Sequence, residues 1–139
     1  MIYQDSIEIS TQGFCDVINI TKKVEDIVVA SEIKNGLIAV FVNGSTAGVT
    51  TLEYEAGAVS DFREAIERLV PQSFNYQHNA KWGDGNGFSH IRAAILGPSL
   101  VIPLADEKML LGTWQQVIVV DFDNRRRQRQ VLIQIVGGK

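Results

Sequence analysis

The stretch "TWQQVIVVDFDNRRRQRQVLIQIVG", residues 113–137, decides the class of this fold. It contains two runs rich in valine and isoleucine, and such β-branched runs are typical of strands. Asp123 and Asn124 separate the two runs, and this residue pair is a common signal for the turn of a hairpin. We therefore predict that two antiparallel strands joined at this turn form the end of the chain.

The segments just before this stretch predict more strands. "HIRAAIL" (90–96), "SLVIPL" (99–104) and "MLLG" (109–112) are short, largely apolar runs. Turn signals separate them, at Gly97-Pro98 and at residues 106–108. Together with the two final strands, they predict an antiparallel meander over the C-terminal half.

The N-terminal half adds further strands and two helices, recognised by the spacing of apolar residues. We predict strands at 3–10, 15–20, 37–42 and 49–55 and helices at 24–34 and 58–70. The run "LIAVFV" (37–42) is apolar throughout, so we expect it to be buried on both faces of a sheet. Because no linker or repeat divides the chain, the predicted fold class is α+β, a single domain over residues 1–139 with antiparallel sheets and two helices.

Composition narrows the classes of function. The chain has 139 residues and a formal net charge of −3, which gives no global attraction to nucleic acid or to an anionic membrane. Cys15 is the only cysteine, which fits a reducing compartment, and no apolar run approaches the length that spans a bilayer. We therefore expect a cytoplasmic protein with no membrane partner and no nucleic-acid partner.

The one basic cluster, "RRRQR" (125–129), follows the Asp123-Asn124 turn. The favoured interpretation is a solvated turn that Asp121 and Asp123 partly neutralise. No aromatic residues alternate with the arginines to stack on bases, which disfavours a nucleic-acid patch. Pairing between subunits and binding of a substrate phosphate stay open as alternatives.

The glycine-rich stretch "GDGNGFSH" (83–90) matches neither the dinucleotide-binding fingerprint nor the P-loop. Because a strand is predicted directly after it, we expect that it does not open a helix. Asp84, Asn86 and the glycine N–H groups have the chemistry of a small anion-binding loop. An ordinary turn is the alternative.

Two histidines and one hydroxyl-rich turn are the other candidates for chemistry. Imidazole serves as metal ligand and as general base, and His78 and His90 are the only histidines. Either Glu53 or Asp84 would complete a three-ligand open site, whereas a structural role for each histidine is the alternative. "GSTAG" (44–48) offers Ser45 and Thr46 as hydrogen-bonding groups at the end of a predicted strand.

Several stretches together resemble one known family. "WGDGNGFSHIRAAILGPSLVIPL", "LLGTWQQVIVVDFDNRRRQRQV" and "GSTAGVTTLE" are similar to the YjbQ-like family, over about residues 4–137. The resemblance implies a β-sandwich-like α+β domain that forms a trimer, with a polar cleft that holds histidines and sometimes a divalent metal. It also implies a weak ability to join the pyrimidine and thiazole halves of thiamine phosphate, as in a secondary thiamine-phosphate synthase.

The residue matches are uneven. Residues that fit the family's motifs are Glu53, His78, Asp84, Asn86, His90, Arg92, Ser99, Thr113, Trp114 and Gln115. Phe88 and Gly44 stand where many members have histidine, and Leu52 stands where many have asparagine. Neither phenylalanine nor glycine binds metal through its side chain, so two ligand candidates of the family are missing here.

These observations predict a trimeric protein with a pocket for a small phosphorylated or anionic metabolite, and with weak synthase-like activity at most. His90 would act as acid, base or phosphate donor, Glu53 would assist, and Arg92 would neutralise an anion if its side chain faces the cleft. The predicted ligand-binding residues are Ser45, Thr46, Asp84, Asn86, Ser99, Thr113 and Gln115. A zinc or magnesium ion would be held by His90 and His78. The alternative is a non-enzymatic ligand-binding or structural trimer.

Overall fold

Two antiparallel sheets and four helices make up the structure, a computed structural model that describes residues 1–139. The strands are β1 (Ile2–Thr11), β2 (Asp16–Asn19), β3 (Asn35–Val42), β4 (Ala47–Glu53), β5 (Ser99–Ala105), β6 (Lys108–Met109), β7 (Gln115–Asp121) and β8 (Arg127–Gly138). The helices are α1 (Thr21–Ser31), α2 (Ala56–Leu69), α3 (Gln77–Trp82) and α4 (Gly87–Leu96). The predicted α+β class with antiparallel sheets is confirmed.

The two final strands lie in different sheets. β8 is in the five-stranded sheet, in the order β1-β8-β3-β5-β6, whereas β7 is the middle strand of the three-stranded sheet β2-β7-β4. The prediction of a terminal hairpin is therefore wrong. The reason is burial: β7 is buried at every position from Val117 to Asp121, so it needs cover on both faces, and the middle layer of the molecule gives it that cover.

Three layers of secondary structure enclose two apolar cores. The larger core lies between the two sheets and includes residues of α1 such as Val24 and Val28. The smaller core lies on the other face of the three-stranded sheet, where Val59 and Ile66 of α2 and Ala93 of α4 pack against β7. The three-stranded sheet is thus sandwiched between the large sheet and the helices.

The outer face of the five-stranded sheet has no such cover. In β3, Ile38, Val40 and Val42 are buried, whereas Leu37 is 53% exposed and Phe41 is 40% exposed. The expectation that residues 37–42 are buried on both faces is wrong, because no helix packs on this side of the sheet.

Residues 90–96, predicted as a strand, belong to helix α4, and α3 was also missed. The buried side chains of α4 include Phe88, Ser89, Arg92 and Ala93, a spacing that places them on one helical face. This face covers the three-stranded sheet, so tertiary packing decides the helix. None of the four helices has both the length and the apolar character that a membrane-crossing helix needs.

Candidate functional site

A buried network of charged and hydroxyl side chains joins the two sheets where the chain passes from β7 to β8. Arg129 donates from Nε to Asp121 Oδ2 at 2.7 Å and from Nη2 to Asp121 Oδ1 at 3.0 Å. Asp121 also accepts from the Thr11 hydroxyl, and Arg129 Nη2 donates to the Thr46 hydroxyl. All four side chains are buried, so they hold β1, β4, β7 and β8 in one fixed arrangement.

Asp123 extends this network toward the glycine-rich stretch. Its carboxylate accepts from the Thr46 hydroxyl at 2.9 Å, from Arg127 Nε at 3.0 Å and from Asn86 Nδ2 at 3.4 Å. Burial by itself raises the pKa of this carboxyl. The hydrogen bond from Thr46 and the charges of Arg127 and Arg129 outweigh burial, and they hold the pKa below its ordinary value of 3.8. Asp123 is therefore a fixed negative charge behind the glycine-rich stretch. The predicted neutralisation by Asp121 and Asp123 is confirmed, but Arg129 is buried rather than solvated.

The glycine-rich stretch is a turn that does open a helix, contrary to the prediction. Gly83 and Gly85 have φ of 67° and 65°, a left-handed conformation that glycine adopts without strain. Asn86 then accepts at Oδ1 from the Ser89 hydroxyl and from the backbone N–H of Asn124, which fixes the start of α4 against the β7–β8 connection. The turn thus sets where α4 begins and where His90 lies.

His78 and His90 face each other across α3 and α4. Their ring centroids are 4.4 Å apart, and His78 Nδ1 lies 3.5 Å from Asp84 Oδ1. This nitrogen is buried and has no hydrogen-bond partner. Burial lowers the pKa of His90 below its ordinary value of 6.5, and the charge of His78 lowers it further, while Asp84 and Asp123 act in the opposite direction. The His90 imidazole is therefore mostly neutral at pH 7 and available as a base or an acceptor.

The residues present do not fit a preformed metal site. No group of three or more His, Cys, Asp or Glu side chains is arranged to hold a metal ion. His78, His90 and Asp84 come near one another, but Glu53 lies at the far end of β4. The two positions at which the family resemblance suggests histidine are also closed: Phe88 is fully buried, and a Cβ at Gly44 would lie 2.7 Å from Arg129 Nη1.

The other predicted residues lie at the opposite end of the three-stranded sheet. Glu53 pairs in register with Gln115, which donates from Nε2 to the Thr51 hydroxyl at 3.0 Å, and Thr113 precedes them in an exposed turn. Of these residues, Glu53 borders an open cleft of about 240 Å³, whose other lining residues are Asn19, Tyr54, Glu55, Trp114 and Gln116. At a rise of about 3.3 Å per residue along β4, Glu53 is roughly 20 Å from Thr46. One chain alone therefore does not bring Glu53, Thr113 and Gln115 to His90.

Arg92, Ser45 and Ser99 complete the predicted set. Arg92 is buried, donates to the Val70 carbonyl at 2.9 Å, forms an ion pair with Glu67 and stacks on Phe88. The condition for its predicted role, a side chain that faces the cleft, is not met. Ser45 and Ser99 are exposed, and neither forms a side-chain hydrogen bond.

Sequence reasoning gave Asp121 and Asp123 only a neutralising role at the turn, and it left phosphate binding open for the arginine cluster that includes Arg129. The sequence did contain a signal: Asp121 and Asp123, two residues apart, follow directly after the apolar run at residues 117–120. Such charges are buried only when they are paired, and the nearby arginines supply the pairing. Their role here is to fix the turn and α4, so that His90 has a defined position.

Comparison with known proteins gives one consistent result. The family model described as UPF0047 protein YjbQ-like matches residues 5–138. A UPF0047 protein of Methanothermobacter thermautotrophicus is 33% identical over 98% of this chain and 93% of its own length.

Two solved structures are also similar. A YbjQ-like protein of unknown function from Sulfolobus solfataricus is 35% identical, with a TM-score of 0.94 over 99% of this chain and 98% of that chain. A hypothetical protein from Aeropyrum pernix is 32% identical, with a TM-score of 0.90 over 97% and 98%.

Proposed function

This chain belongs to the YjbQ-like UPF0047 family, and we propose a function for it from its own geometry. The protein is a homotrimer that binds a small phosphorylated or anionic metabolite beside His78 and His90. The observation that carries this proposal is the histidine pair, with rings 4.4 Å apart and one buried nitrogen, His78 Nδ1, that forms no hydrogen bond and lies 3.5 Å from Asp84 Oδ1. A buried polar atom without a partner is costly, and a ligand at that place would relieve the cost.

The charges around the pair support an anionic ligand. Arg125 and Arg126 are exposed and pair with no acid, and Asn124 beside them donates from Nδ2 to the Asp84 carbonyl at 2.9 Å. This hydrogen bond holds the backbone that carries the two free cations against the glycine-rich stretch, and Arg126 itself lines a cleft with Ser10, Thr11 and Gln12. An anion bound there is also favoured by proton uptake, since a nearby negative charge raises the pKa of an imidazole.

Chemistry at this place would centre on His90. A synthase-like reaction displaces pyrophosphate from a methylene carbon, and a mostly neutral imidazole suits acid–base work or hydrogen bonding to the leaving group. We propose weak activity of this kind at most, because Phe88 and Gly44 supply no further donor. A zinc or magnesium ion would find only two imidazoles here and would need most of its ligands from the metabolite. The single buried thiol, Cys15, suits the cytoplasm as the site of action.

An exposed apolar surface supports the trimer. Ile2, Leu37, Val101 and Val136 are neighbours on the outer face of the five-stranded sheet, and each is about half exposed or more. We call these four residues the outer sheet patch. Contiguous apolar surface of this kind is typical of an interface between proteins.

Calorimetric titration with inorganic pyrophosphate tests the proposal. The native protein is expected to bind it, and His90→Gln is expected to weaken binding about tenfold, the worth of one charge-assisted hydrogen bond. Ser60→Ala, on the exposed face of α2, serves as the control and should change nothing. No heat of binding in the native protein, or equal affinity in His90→Gln, would overturn the proposal.

A second candidate is a binding trimer without catalysis, and the loss of histidine at positions 44 and 88 favours it. Release of pyrophosphate from a pyrimidine pyrophosphate in the presence of a thiazole phosphate separates the two. Turnover that His90→Gln abolishes indicates the enzyme, and binding without turnover indicates the second candidate.

A further inference from the structure

The predicted site residues lie in two groups at opposite ends of the three-stranded sheet. Asn86, just before α4, donates a hydrogen bond to Asp123, which also accepts one from Thr46 just before β4, so the histidine group lies toward the end where β4 begins. Glu53 and Gln115 lie where β4 ends. The length of β4 separates the groups by roughly 20 Å, which is beyond the reach of any side chain. If both groups serve one site, a second copy of the chain has to supply one of them.

The end that holds the histidines is basic. Arg127 and Arg129 are paired with Asp123 and Asp121, but Arg125 and Arg126 are exposed and have no ion pair. We call Arg125 and Arg126 the basic tip. The hydrogen bond from Asn124 to the Asp84 carbonyl holds the residue before the basic tip against the glycine-rich stretch, and Arg126 itself lines a cleft with Ser10, Thr11 and Gln12.

The opposite end is acidic and aromatic. Trp114 is 72% exposed and Tyr54 is 46% exposed, and both line the cleft beside Glu53 and Glu55. Glu55 is engaged as the cap of α2, through bonds from the N–H groups of Gly57 and Ala58, whereas Glu53 has no ion pair. None of the six residues that line this cleft is basic. Exposed aromatic rings beside a free carboxylate are the surroundings that a guanidinium group favours.

A ring of three copies needs two different surfaces that fit each other, because an interface around a three-fold axis is heterologous. The basic tip and the acidic aromatic cleft are complementary in charge and lie at opposite ends of each copy. We infer that the basic tip of one copy docks in the cleft of the next copy. This inference rests on the trimer of the proposed function. Each metabolite site is then shared: one copy supplies His78 and His90, and its neighbour supplies Glu53 and Gln115.

Charge reversal with sedimentation analysis tests the interface. Arg125→Glu with Arg126→Glu, and separately Glu53→Arg, should convert the trimer to monomers, because each change places like charges in contact. The combination of all three substitutions should restore the trimer. Lys22→Glu with Lys23→Glu, and Glu25→Arg, make the same charge changes at exposed positions on α1 and should remain trimeric. Trimers in all the reversal variants, or a combined variant that stays monomeric, would overturn the inference.

Titration of the two imidazoles by NMR tests the shared site itself. Within one chain Glu53 is too far from His90 to act on it, since the separation exceeds a Debye length of about 8 Å at physiological salt. In the trimer the neighbour's carboxylate should raise the pKa of His90, so Glu53→Gln should lower the pKa, while Glu25→Gln should leave it unchanged. An unchanged His90 titration in trimeric Glu53→Gln would overturn the shared site.

The two proposals fail in different ways. If the native protein binds pyrophosphate but every reversal variant is still a trimer, the proposed function stands and this interface is overturned. Reversal variants that behave as expected, in a protein that does not bind pyrophosphate, support the interface and overturn the proposed ligand.

Discussion

At the scale of single residues, Asp121 is the centre of the molecule's polar chemistry. It is fully buried and accepts hydrogen bonds from Arg129, from the Thr11 hydroxyl and from the backbone of Asp123. A buried ion pair of this kind adds less to stability than its strength suggests, because both charges lose water. Removal of one partner is far more damaging, since the other charge stays buried without compensation.

Asp121→Asn should therefore destabilise the protein strongly. We expect a loss of about 3–5 kcal/mol in the free energy of unfolding, the usual effect of breaking a buried ion pair. Urea denaturation followed by circular dichroism gives the value. Asp61→Asn, an exposed carboxyl on α2, is the matched control and should change the free energy by less than about 0.5 kcal/mol. A change of the same small size for Asp121→Asn would show that the network contributes little.

At the scale of secondary structure, the contact between α3 and α4 decides whether the histidines meet. Gly87 is the first residue of α4, and a Cβ there would lie 2.5 Å from Tyr76 Cβ and 3.0 Å from Asn79 Oδ1. The absence of a side chain at residue 87 thus allows the two helices to approach. It also brings His78 on α3 to His90 on α4.

Gly87→Ala should destabilise the protein although alanine favours helices. Alanine in a helix is more favourable than glycine by about 1 kcal/mol, but overpacking costs about 1–3 kcal/mol. We therefore expect a net decrease in the free energy of unfolding. The NMR signals of both imidazoles should shift as the helices separate. Gly138→Ala, where a Cβ would meet nothing within 4 Å, is the control and should be close to neutral. A more stable Gly87→Ala protein with unmoved histidine signals would contradict this account.

Local patterns predicted most strands and the long helices, because alternation and helical spacing are properties of short segments. They did not predict α4: its apolar run is short, and only packing against the three-stranded sheet distinguishes helix from strand there. They also misassigned the β7–β8 connection, since Asp123 and Asn124 mark a turn but not the sheet in which the next strand lies. For the site, the sequence identified His78 and His90. It did not reveal that Glu53 and Gln115 lie at the other end of β4, because that depends on the direction of the strand.

At the scale of the whole molecule, the outer sheet patch is an apolar surface that no other element of the chain covers. The register of the strands places Leu37 between Pro103 and Val136, and Val136 beside Ile2, so apolar side chains continue across four strands. A chain that exposed this surface as a monomer would be prone to association. Assembly would remove the surface from water without any change in the fold.

Val101→Lys should disrupt that assembly while the single chain stays folded, because Val101 is 60% exposed within one copy. Light scattering should give three times 15.4 kDa for the native protein and 15.4 kDa for the variant. Gln130→Lys, exposed on the same face of the sheet but about six residues along β8 from Val136, should keep the native mass. A native protein of 15.4 kDa, or a trimeric Val101→Lys, would show that the patch is not part of an interface.

The place of β8 has a consequence for how this protein is made. β8 contains the last residues of the chain except Lys139, yet it lies between β1 and β3 and pairs with both of them. Until β8 has been synthesised, β1 has no partner strand and the larger core lacks Val131, Ile133 and Ile135. The five-stranded sheet therefore forms only after β8 has joined β1 and β3, and pairing between strands so far apart in sequence makes folding slow. During synthesis the nascent chain exposes unpaired strands, which is the state in which a chaperone is most needed.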